Sequence, residues 1–558
     1  MSDETSPLLG EQCQRASYNG DERREVESNV NEPQTPSMKS FLWILAPMTI
    51  GIFLSAMDQT VIVASYAAIG SEMKQLQKTS WIATSYMLTV TSFQPLYGKL
   101  SDIFGRKTCL IFAYCVFGIG CLLCGLSKTM DQLILSRALS GIGGGGMPTV
   151  VSIIMSDVVP LRSRGTWQGV LNIIFSSGSM VGAPLGGIPD RHNWLEMVRT
   201  YKHPQQPEKA QSYLRAFLIQ CPAILLAIIS VSVALRLPPP TNTTTNDISI
   251  KSKIKRVDFS GALTLITFIF FLLYSLERGG NVSWNDPLTL STAVASFLAF
   301  ILFIGVEMHW AKEPFAPKRI IVNSSLIASY LVNLFGVASQ MAMIFHVSLY
   351  LQAVQSYSAS QAGFVLVPGI IGGVTGSICG GLIIQATGNY YWVTVAGYLL
   401  QVVGTLTITL SSGVIVASVT GIAIGLTIAG LGNGGGITTS LIALISNAGK
   451  EDQAIATAVS YLFRSLGAVV GLSVGSTVLQ GTLRTALRRL LTGHDIDEIV
   501  NNVRHSLKYL DTLDPDTRAI VKEGYEYAIH VTLWFSIGLS VCAVLSSLFI
   551  KEKNISRS

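Results

Sequence analysis

The stretch "YGKLSDIFGRK", residues 97–107, separates two long apolar runs of the chain. Six of its residues are glycines or charged side chains, namely Gly98, Lys99, Asp102, Gly105, Arg106 and Lys107. Glycine lets the backbone bend tightly, and an aspartate can accept hydrogen bonds from helix-start amides and pair with a nearby arginine or lysine. The stretch therefore predicts a charged latch at a hinge between two helices, with a solvated loop as the simpler alternative.

The composition places the chain in a membrane. Of its 558 residues, 49% are hydrophobic and only 13% are charged, whereas soluble domains carry about 25% charged residues. Apolar runs long enough to cross about 30 Å of hydrocarbon recur along the sequence. We find no catalytic Ser/His/Asp set, metal cluster or phosphate loop in a water-facing domain, so we expect no enzyme activity, metal or cofactor. The net charge of +6 reflects loop placement rather than nucleic-acid binding.

Hydropathy predicts fourteen spans. They lie near residues 41–64, 81–98, 108–127, 131–153, 167–187, 215–236, 259–276, 288–308, 324–350, 362–385, 391–411, 416–445, 454–477 and 528–550. An even number puts both termini on one side of the membrane. Lys and Arg are concentrated in the short loops on that side, which predicts that both termini are cytosolic.

Charged residues lie inside the first and the fourth predicted spans. Asp58 lies near the middle of the first span, in "SAMDQTVIVAS". A bare carboxylate there is costly and tends to take up a proton, so Asp58 is a candidate for proton binding or for pairing with a cationic substrate. Arg137 lies in the fourth span, in "LILSRALSGIGGGGMP". We expect both side chains to face a shared aqueous cleft; the alternatives are a buried structural Asp–Arg pair and an arginine that snorkels at its helix end.

The fifth predicted span carries a stripe of small residues. Gly178, Gly182 and Gly186 follow one another at four-residue steps, with Pro184 among them. Small residues at this spacing let helices pack backbone to backbone. The stripe by itself indicates close packing.

Several polar residues inside the spans are candidates to line a substrate cavity. They are Asp58, Gln168, Asn172, Asn333, Gln340, Tyr461 and Arg464. Arg464 can bind a carboxylate or pair with an acid elsewhere in the chain. His346 either titrates near neutral pH or is a satisfied packing residue.

These motifs resemble those of the major facilitator superfamily. The stretch from Gly98 to Lys107 resembles the family's loop signature, and Arg137 matches an arginine that the family links to proton coupling. The glycine stripe of the fifth span resembles the antiporter signature of proton-coupled exporters. Asp58 followed by Thr60 matches the fourteen-span drug:proton antiporter branch.

The resemblance implies an all-α membrane protein with the major facilitator fold, in which two six-helix bundles rock around a midplane site and two extra helices bridge them. The implied divisions are as follows in chain order: a disordered cytosolic tail (1–40), the first bundle (41–236), a cytosolic linker (237–258), the bridging helices (259–308), the second bundle (324–550) and a short cytosolic tail (551–558). The second bundle includes a lumenal loop at 478–527.

Two longer segments, "WIATSYMLTVTSFQPLYGKLSDIFGRK" and "AIATAVSYLFRSLGAVVGLSVG", look like fungal vacuolar basic amino acid transporters. The implied function is a monomeric antiporter that exchanges cytosolic Lys, Arg and His for vacuolar protons. Glu4, Leu8 and Leu9 resemble a dileucine sorting signal read by an adaptor complex, and Asn281 begins a lumenal glycosylation motif. The alternatives are a plasma-membrane multidrug or toxic-compound:proton exporter and a non-transporting nutrient sensor.

Overall fold

The computed structural model describes residues 38–72, 80–161, 163–187, 209–235, 257–281, 284–309, 323–357, 359–449, 451–490 and 513–553. These residues form fourteen α-helices, numbered in chain order: α1 Met38–Glu72, α2 Ser80–Phe104, α3 Arg106–Leu126, α4 Met130–Val158, α5 Arg164–Gly187, α6 Lys209–Ala234, α7 Phe259–Asn281, α8 Pro287–His309, α9 Ser324–Ala353, α10 Ala359–Thr387, α11 Tyr391–Ser411, α12 Val419–Ala448, α13 Gln453–Leu490 and α14 Pro515–Ser547. The predicted sorting signal at Glu4, Leu8 and Leu9 lies outside the described part, as do the side chains of Asn281 and Pro184. Of Gly186 the backbone is described, as part of α5.

The helices confirm the predicted spans, and twelve of these described helices are long and apolar enough to cross a membrane. The two others are α2 and α5. Both lie between the bundles, where α2 packs against α13 and α5 packs against α10. A helix covered by protein needs less apolar surface than one facing lipid, and this explains their lower hydropathy.

Two bundles form the molecule. Helices α1–α6 pack around one apolar core, and α9–α14 pack around separate clusters of their own. Helices α7 and α8 pair with each other, and α7 packs against both α2 and α13. Ile269 and Leu273 of α7 lie in one apolar cluster with Leu88 of α2 and Leu462 of α13. The bridging pair therefore contacts both bundles at one side of their interface.

The latch, residues 98–107, is a hinge with a single non-helical residue. Gly98 and Asp102 lie inside α2, and Gly105 alone separates α2 from α3, with a φ of 92° that favours glycine. Arg106 donates to Asp102 across 2.5 Å and to Asp157, at the end of α4, across 2.9 Å. The charged pairs fasten together the ends of α2, α3 and α4. We call the side of the protein that carries the latch the latch side.

The second bundle repeats the glycines of the latch without its charges. Gly381 and Gly388 have the same spacing as Gly98 and Gly105, and Gly388 also has a positive φ, of 78°. In place of the charged pairs of the latch, the described segment 551–553 contacts this turn. The hydroxyl of Tyr390 accepts a hydrogen bond from the backbone N–H of Lys553 across 2.8 Å and donates one to the carbonyl of Lys551 across 2.9 Å.

The bundles meet closely on the latch side. A β-carbon at Gly98 would lie 2.8 Å from the β-carbon of Ala458 in α13, and one at Gly165 would lie 2.8 Å from the Cα of Gly381 in α10. Thr166 also donates to Gln385 across 3.0 Å. The interface is therefore closed on the latch side.

The structure shortens one predicted loop. The segment 478–527 was expected to be a lumenal loop, but α13 continues to Leu490 and α14 begins at Pro515. Asp514 caps α14 by accepting a hydrogen bond from the N–H of Thr517 across 3.0 Å, and Pro515 follows at the first helical position. Because these end segments are less apolar than the spans, hydropathy alone misses them. This correction leaves the number of helices unchanged.

Candidate functional site

Asp58 and Arg137 form an ion pair inside the first bundle. Nη1 of Arg137 lies 2.6 Å from Oδ2 of Asp58, and the two side chains are 1% and 0% exposed, respectively. The Nε2 atom of Gln220, on α6, lies 3.4 Å from the other carboxylate oxygen. Helices α1, α4 and α6 therefore meet at this carboxylate. An ion pair removed from water survives only when its remaining donors and acceptors are also bonded.

Aromatic rings and a carbonyl surround the arginine. The guanidinium carbon of Arg137 lies 4.3 Å from the ring centre of Tyr86 and 5.7 Å from that of Phe217. Its Nε atom also donates to the carbonyl of Ile82 across 3.4 Å. Cation–π contacts of this kind are strongest where water is excluded. The guanidinium is thus in contact with two aromatic rings and a backbone carbonyl as well as with Asp58.

An apolar cluster closes the pair off from the side opposite the latch. Ile62, Ile82, Cys124, Leu133 and Phe217, each at most 2% exposed, pack together there. Five different helices contribute to this cluster. The cluster therefore covers the ion pair on that side.

The expectation that Asp58 and Arg137 face a shared aqueous cleft is wrong for this structure, which shows the alternative of a buried pair. The reason is helical geometry. The face of α1 that meets α5 carries Phe53 and Met57. A β-carbon at Gly178 would overlap the carbonyl oxygen of Phe53, and one at Gly182 would overlap that of Met57. Asp58 follows Met57 by about 100° around the helix, so it points into the bundle towards α4 and α6.

The glycine stripe of α5 packs α5 directly against α1. Any side chain at Gly178 or Gly182 would collide with the α1 backbone, and Gly182 also leaves room for the hydroxyl of Thr60. This confirms the predicted close packing. Gly178 and Gly182 thereby hold α1, and with it Asp58, at a fixed distance from the interface between the bundles.

The second bundle brings three of the predicted cavity residues together. Nε of Arg464, about three turns into α13, donates to Oδ1 of Asn333 on α9 across 2.9 Å. Nη2 of Arg464 donates to the carbonyl of Ile437 on α12 across 3.4 Å. The guanidinium carbon lies 5.0 Å from the ring centre of Tyr461. Arg464 has no carboxylate partner in the part of the chain that the structure describes.

Asn172 connects the two bundles. Its Nδ2 atom donates to the hydroxyl of Ser377 on α10 across 2.7 Å, and Ser377 bonds to Thr438 on α12 across 2.5 Å. Gln168 and Gln340 are 5% and 7% exposed. Asn172 therefore lies at the interface between the bundles, and Asn333, Tyr461 and Arg464 lie together in the second bundle, whereas Asp58 lies in the first bundle.

Sequence reasoning missed Gln220, Tyr86 and Gln94. Gln220 and Tyr86 complete the surroundings of the ion pair, and Gln94 of α2 accepts a hydrogen bond from Ser465 of α13 across 2.8 Å. Gln220 and Gln94 both lie in apolar spans, and a buried amide needs hydrogen-bond partners. The sequence therefore did indicate that these two side chains make polar contacts. Tyr86 gave no such signal, since tyrosine is common in membrane helices.

Comparison with known proteins agrees with this architecture. A family described as the Major Facilitator Superfamily matches residues 48–472. The Schizosaccharomyces pombe "vacuolar membrane amino acid uptake transporter fnx2" is 38% identical, with 95% of this chain and 87% of that protein covered. The "multidrug resistance protein fnx1" of the same yeast is 34% identical, with 95% and 94% covered. The Saccharomyces cerevisiae "vacuolar basic amino acid transporter 1" is 30% identical, with 100% and 99% covered.

A solved structure shares the fold. The human organic anion transporter MFSD10 aligns with a TM-score of 0.59 at 14% identity, over 91% of this chain and 99% of that one. At this identity the likeness concerns the arrangement of the helices alone.

Proposed function

Because the chain belongs to the Major Facilitator Superfamily, we propose that it is a proton-coupled antiporter that moves Lys, Arg and His from the cytosol into the vacuole by alternating access. Amino acid transporters of the vacuolar membrane are among its relatives over nearly the whole chain. The observation that carries the proposal is the pair of Asp58 and Arg137, which provides one exchangeable proton site within the first bundle.

The ion pair provides a coupling step. In the proposed cycle a lumenal proton binds the Asp58 carboxylate, neutralises it and releases Arg137 from the pair. Loss of that proton to the cytosol restores the carboxylate and the ion pair. Because both side chains are at most 1% exposed here, the cycle requires the apolar cluster around Ile82 and Phe217 to open.

The latch stabilises one of the two access states of the carrier. With the termini in the cytosol, closure on the latch side corresponds to a carrier that is closed towards the cytosol. The ion pairs of Arg106 with Asp102 and Asp157 stabilise this state. Substrate loading from the cytosol requires the contact between α2 and α13 at Gly98 to separate.

Uptake of labelled Lys, Arg and His into energised vacuolar vesicles tests the proposal. Wild-type uptake should stop when a protonophore collapses the proton gradient, and the Asp58→Asn variant should show no proton-driven uptake. Asp514→Asn is the matched control, since asparagine also caps a helix and Asp514 lies at the exposed start of α14. If the Asp58→Asn variant takes up amino acids at the wild-type rate, the assignment of Asp58 as the proton site is refuted.

A multidrug or toxic-compound exporter at the plasma membrane is the second candidate, and the similarity to a multidrug resistance protein favours it. Location separates the two proposals. Replacing Leu8 and Leu9 with alanine should redirect a vacuolar protein and leave a surface exporter in place. Fluorescence microscopy of the tagged wild type and of this variant decides between them.

A further inference from the structure

We infer that Arg464 binds the α-carboxylate of the transported amino acid, so that this residue makes the carrier select amino acids over the corresponding amines. The inference rests on the proposed function and deepens it by assigning the part of the substrate that all amino acids share.

The charges inside the described bundle helices do not all have a partner of opposite sign. In the middle of the described bundle helices, Asp58 is committed to Arg137, and these two charges cancel. Arg464 remains there without a carboxylate among the described residues. An uncompensated guanidinium in a membrane span is costly and normally pairs with an anion or faces a cavity.

The second argument is the geometry of its donors. Asn333 and the carbonyl of Ile437 fix Nε and Nη2 of Arg464. Asn333 is itself held, because its Nδ2 atom donates to the carbonyl of Ser329 across 2.7 Å and to Ser440 across 3.3 Å. Nη1 makes no hydrogen bond within the described residues and is not among their buried unpartnered atoms. Two of the three guanidinium nitrogens are thus held in place, and Nη1 is left as a further donor.

Two amide oxygens without partners lie on α9 and α12, the helices that hold Arg464. Gln340 lies two turns after Asn333 on the same face of α9, is 7% exposed, and its Oε1 atom is buried without a partner. Asn433 lies one turn before Ile437 on α12, and its Oδ1 atom is also buried without a partner. A bare buried amide oxygen is costly. An α-ammonium group would satisfy such an oxygen, while the α-carboxylate pairs with Arg464.

The site also has the position that a carrier requires. Ser465, next to Arg464, bonds to Gln94 of the first bundle, and Thr438, next to Ile437, connects through Ser377 to Asn172. Both connections cross between the bundles. On both helices the site is therefore one residue away from a contact between the bundles.

Competition with labelled lysine uptake tests the inference. The competitors are L-lysine, L-lysinamide, which replaces the carboxylate with a neutral amide, and cadaverine, which lacks it. A hydrogen-bonded charge pair contributes enough to make wild type prefer lysine over either analogue by roughly 10- to 100-fold. In Arg464→Gln this preference should fall to near unity, with weakened lysine uptake.

The variants include matched controls. Arg484→Gln makes the same change at an exposed position of α13 and should keep the wild-type preference. Arg464→Lys retains the charge without the planar donor fork, so its preference should lie between those of wild type and Arg464→Gln. This variant also decides the question if Arg464→Gln fails to fold.

The outcomes separate this inference from the proposed function. A wild type that takes up lysine but accepts cadaverine and lysinamide equally well overturns the inference and leaves the function intact. An unchanged preference in Arg464→Gln does the same. A wild type that takes up no Lys, Arg or His overturns the proposed function. In that case, the purified protein is heated with amino acids or with amines. Stabilisation by amino acids alone still supports a carboxylate site at Arg464, and a lack of stabilisation by amino acids overturns the inference as well.

Discussion

Nη1 of Arg137 lies 2.6 Å from Oδ2 of Asp58, although 79 residues separate the two in the chain. The pair connects α1 to α4 in a part of the bundle where neither side chain is more than 1% exposed. Its stability depends on both members being present, because removal of one leaves an uncompensated charge in a buried site.

Removing one member of the pair should therefore destabilise the protein more than replacing both. Breaking a buried ion pair costs about 3–5 kcal/mol, whereas apolar residues of similar volume are often neutral. We expect Asp58→Ala to lower the unfolding midpoint of the detergent-purified protein strongly. The double variant Asp58→Leu with Arg137→Met should remain close to wild type and be inactive in transport. A stable Asp58→Ala protein would contradict the structural importance of the pair.

Cross-linking across the latch side should stop transport. Thr166 on α5 and Gln385 on α10 are joined by a 3.0 Å hydrogen bond between the bundles. Cysteines at both positions, linked by a short bifunctional thiol reagent that reduction cleaves, should abolish uptake until the reductant is added. The background should carry Cys379→Ser, because Cys379 is exposed on α10. Each single cysteine variant, treated in the same way, should remain active; continued uptake by the linked protein would argue against alternating closure here.

A bulky residue at Gly98 should prevent closure on the latch side. A β-carbon there would lie 2.8 Å from the β-carbon of Ala458 and 3.0 Å from the carbonyl oxygen of Ala454, so Gly98→Val must push α2 away from α13. We expect a folded but inactive protein. If Ala458→Cys is added, its thiol should react faster with thiol reagents in the Gly98→Val background than with Gly98 in place. Gly305→Val in α8 is the control, because a β-carbon there meets nothing within 4 Å. Normal transport by Gly98→Val would show that this contact is dispensable.

The docked end of the chain should contribute to the stability of the second bundle. The Tyr390 hydroxyl bonds to Lys551 and Lys553 and accepts from Asn447 across 3.3 Å. Loss of such buried hydrogen bonds costs about 1–3 kcal/mol. Tyr390→Phe should lower the unfolding midpoint and expose residues after Ile550 to protease. Tyr527→Phe, at a position 57% exposed, should change neither property.

The helices were predictable because their cause is local. A run of apolar residues long enough to cross the bilayer must satisfy its own backbone, and a helix does so within the run. The start of α7 at Phe259 and the extent of α11 agree with the spans expected there. The polar extensions of α13 and α14 were not predictable in this way, because capping and packing stabilise them rather than hydropathy.

The candidate site was only partly predictable. The sequence singled out Asp58, Arg137 and Arg464, because a charge in a span is costly wherever it points. It left open whether Asp58 and Arg137 pair with each other or face a shared cleft. Gln220 and Asn333 belong to other helices than the residues that they hold, and no local pattern indicates such contacts.

The amino-acid sequence by itself determined the number of helices, their approximate ends and the hinge at Gly105, since each depends on residues close together in the chain. Only the tertiary structure decided that Asp58 and Arg137 neutralise each other inside one bundle, whereas Arg464 has no carboxylate among the described residues of the other. The physical reason is that a charge is compensated by whatever lies within a few ångströms of it. In this protein those neighbours come from helices that are distant in sequence.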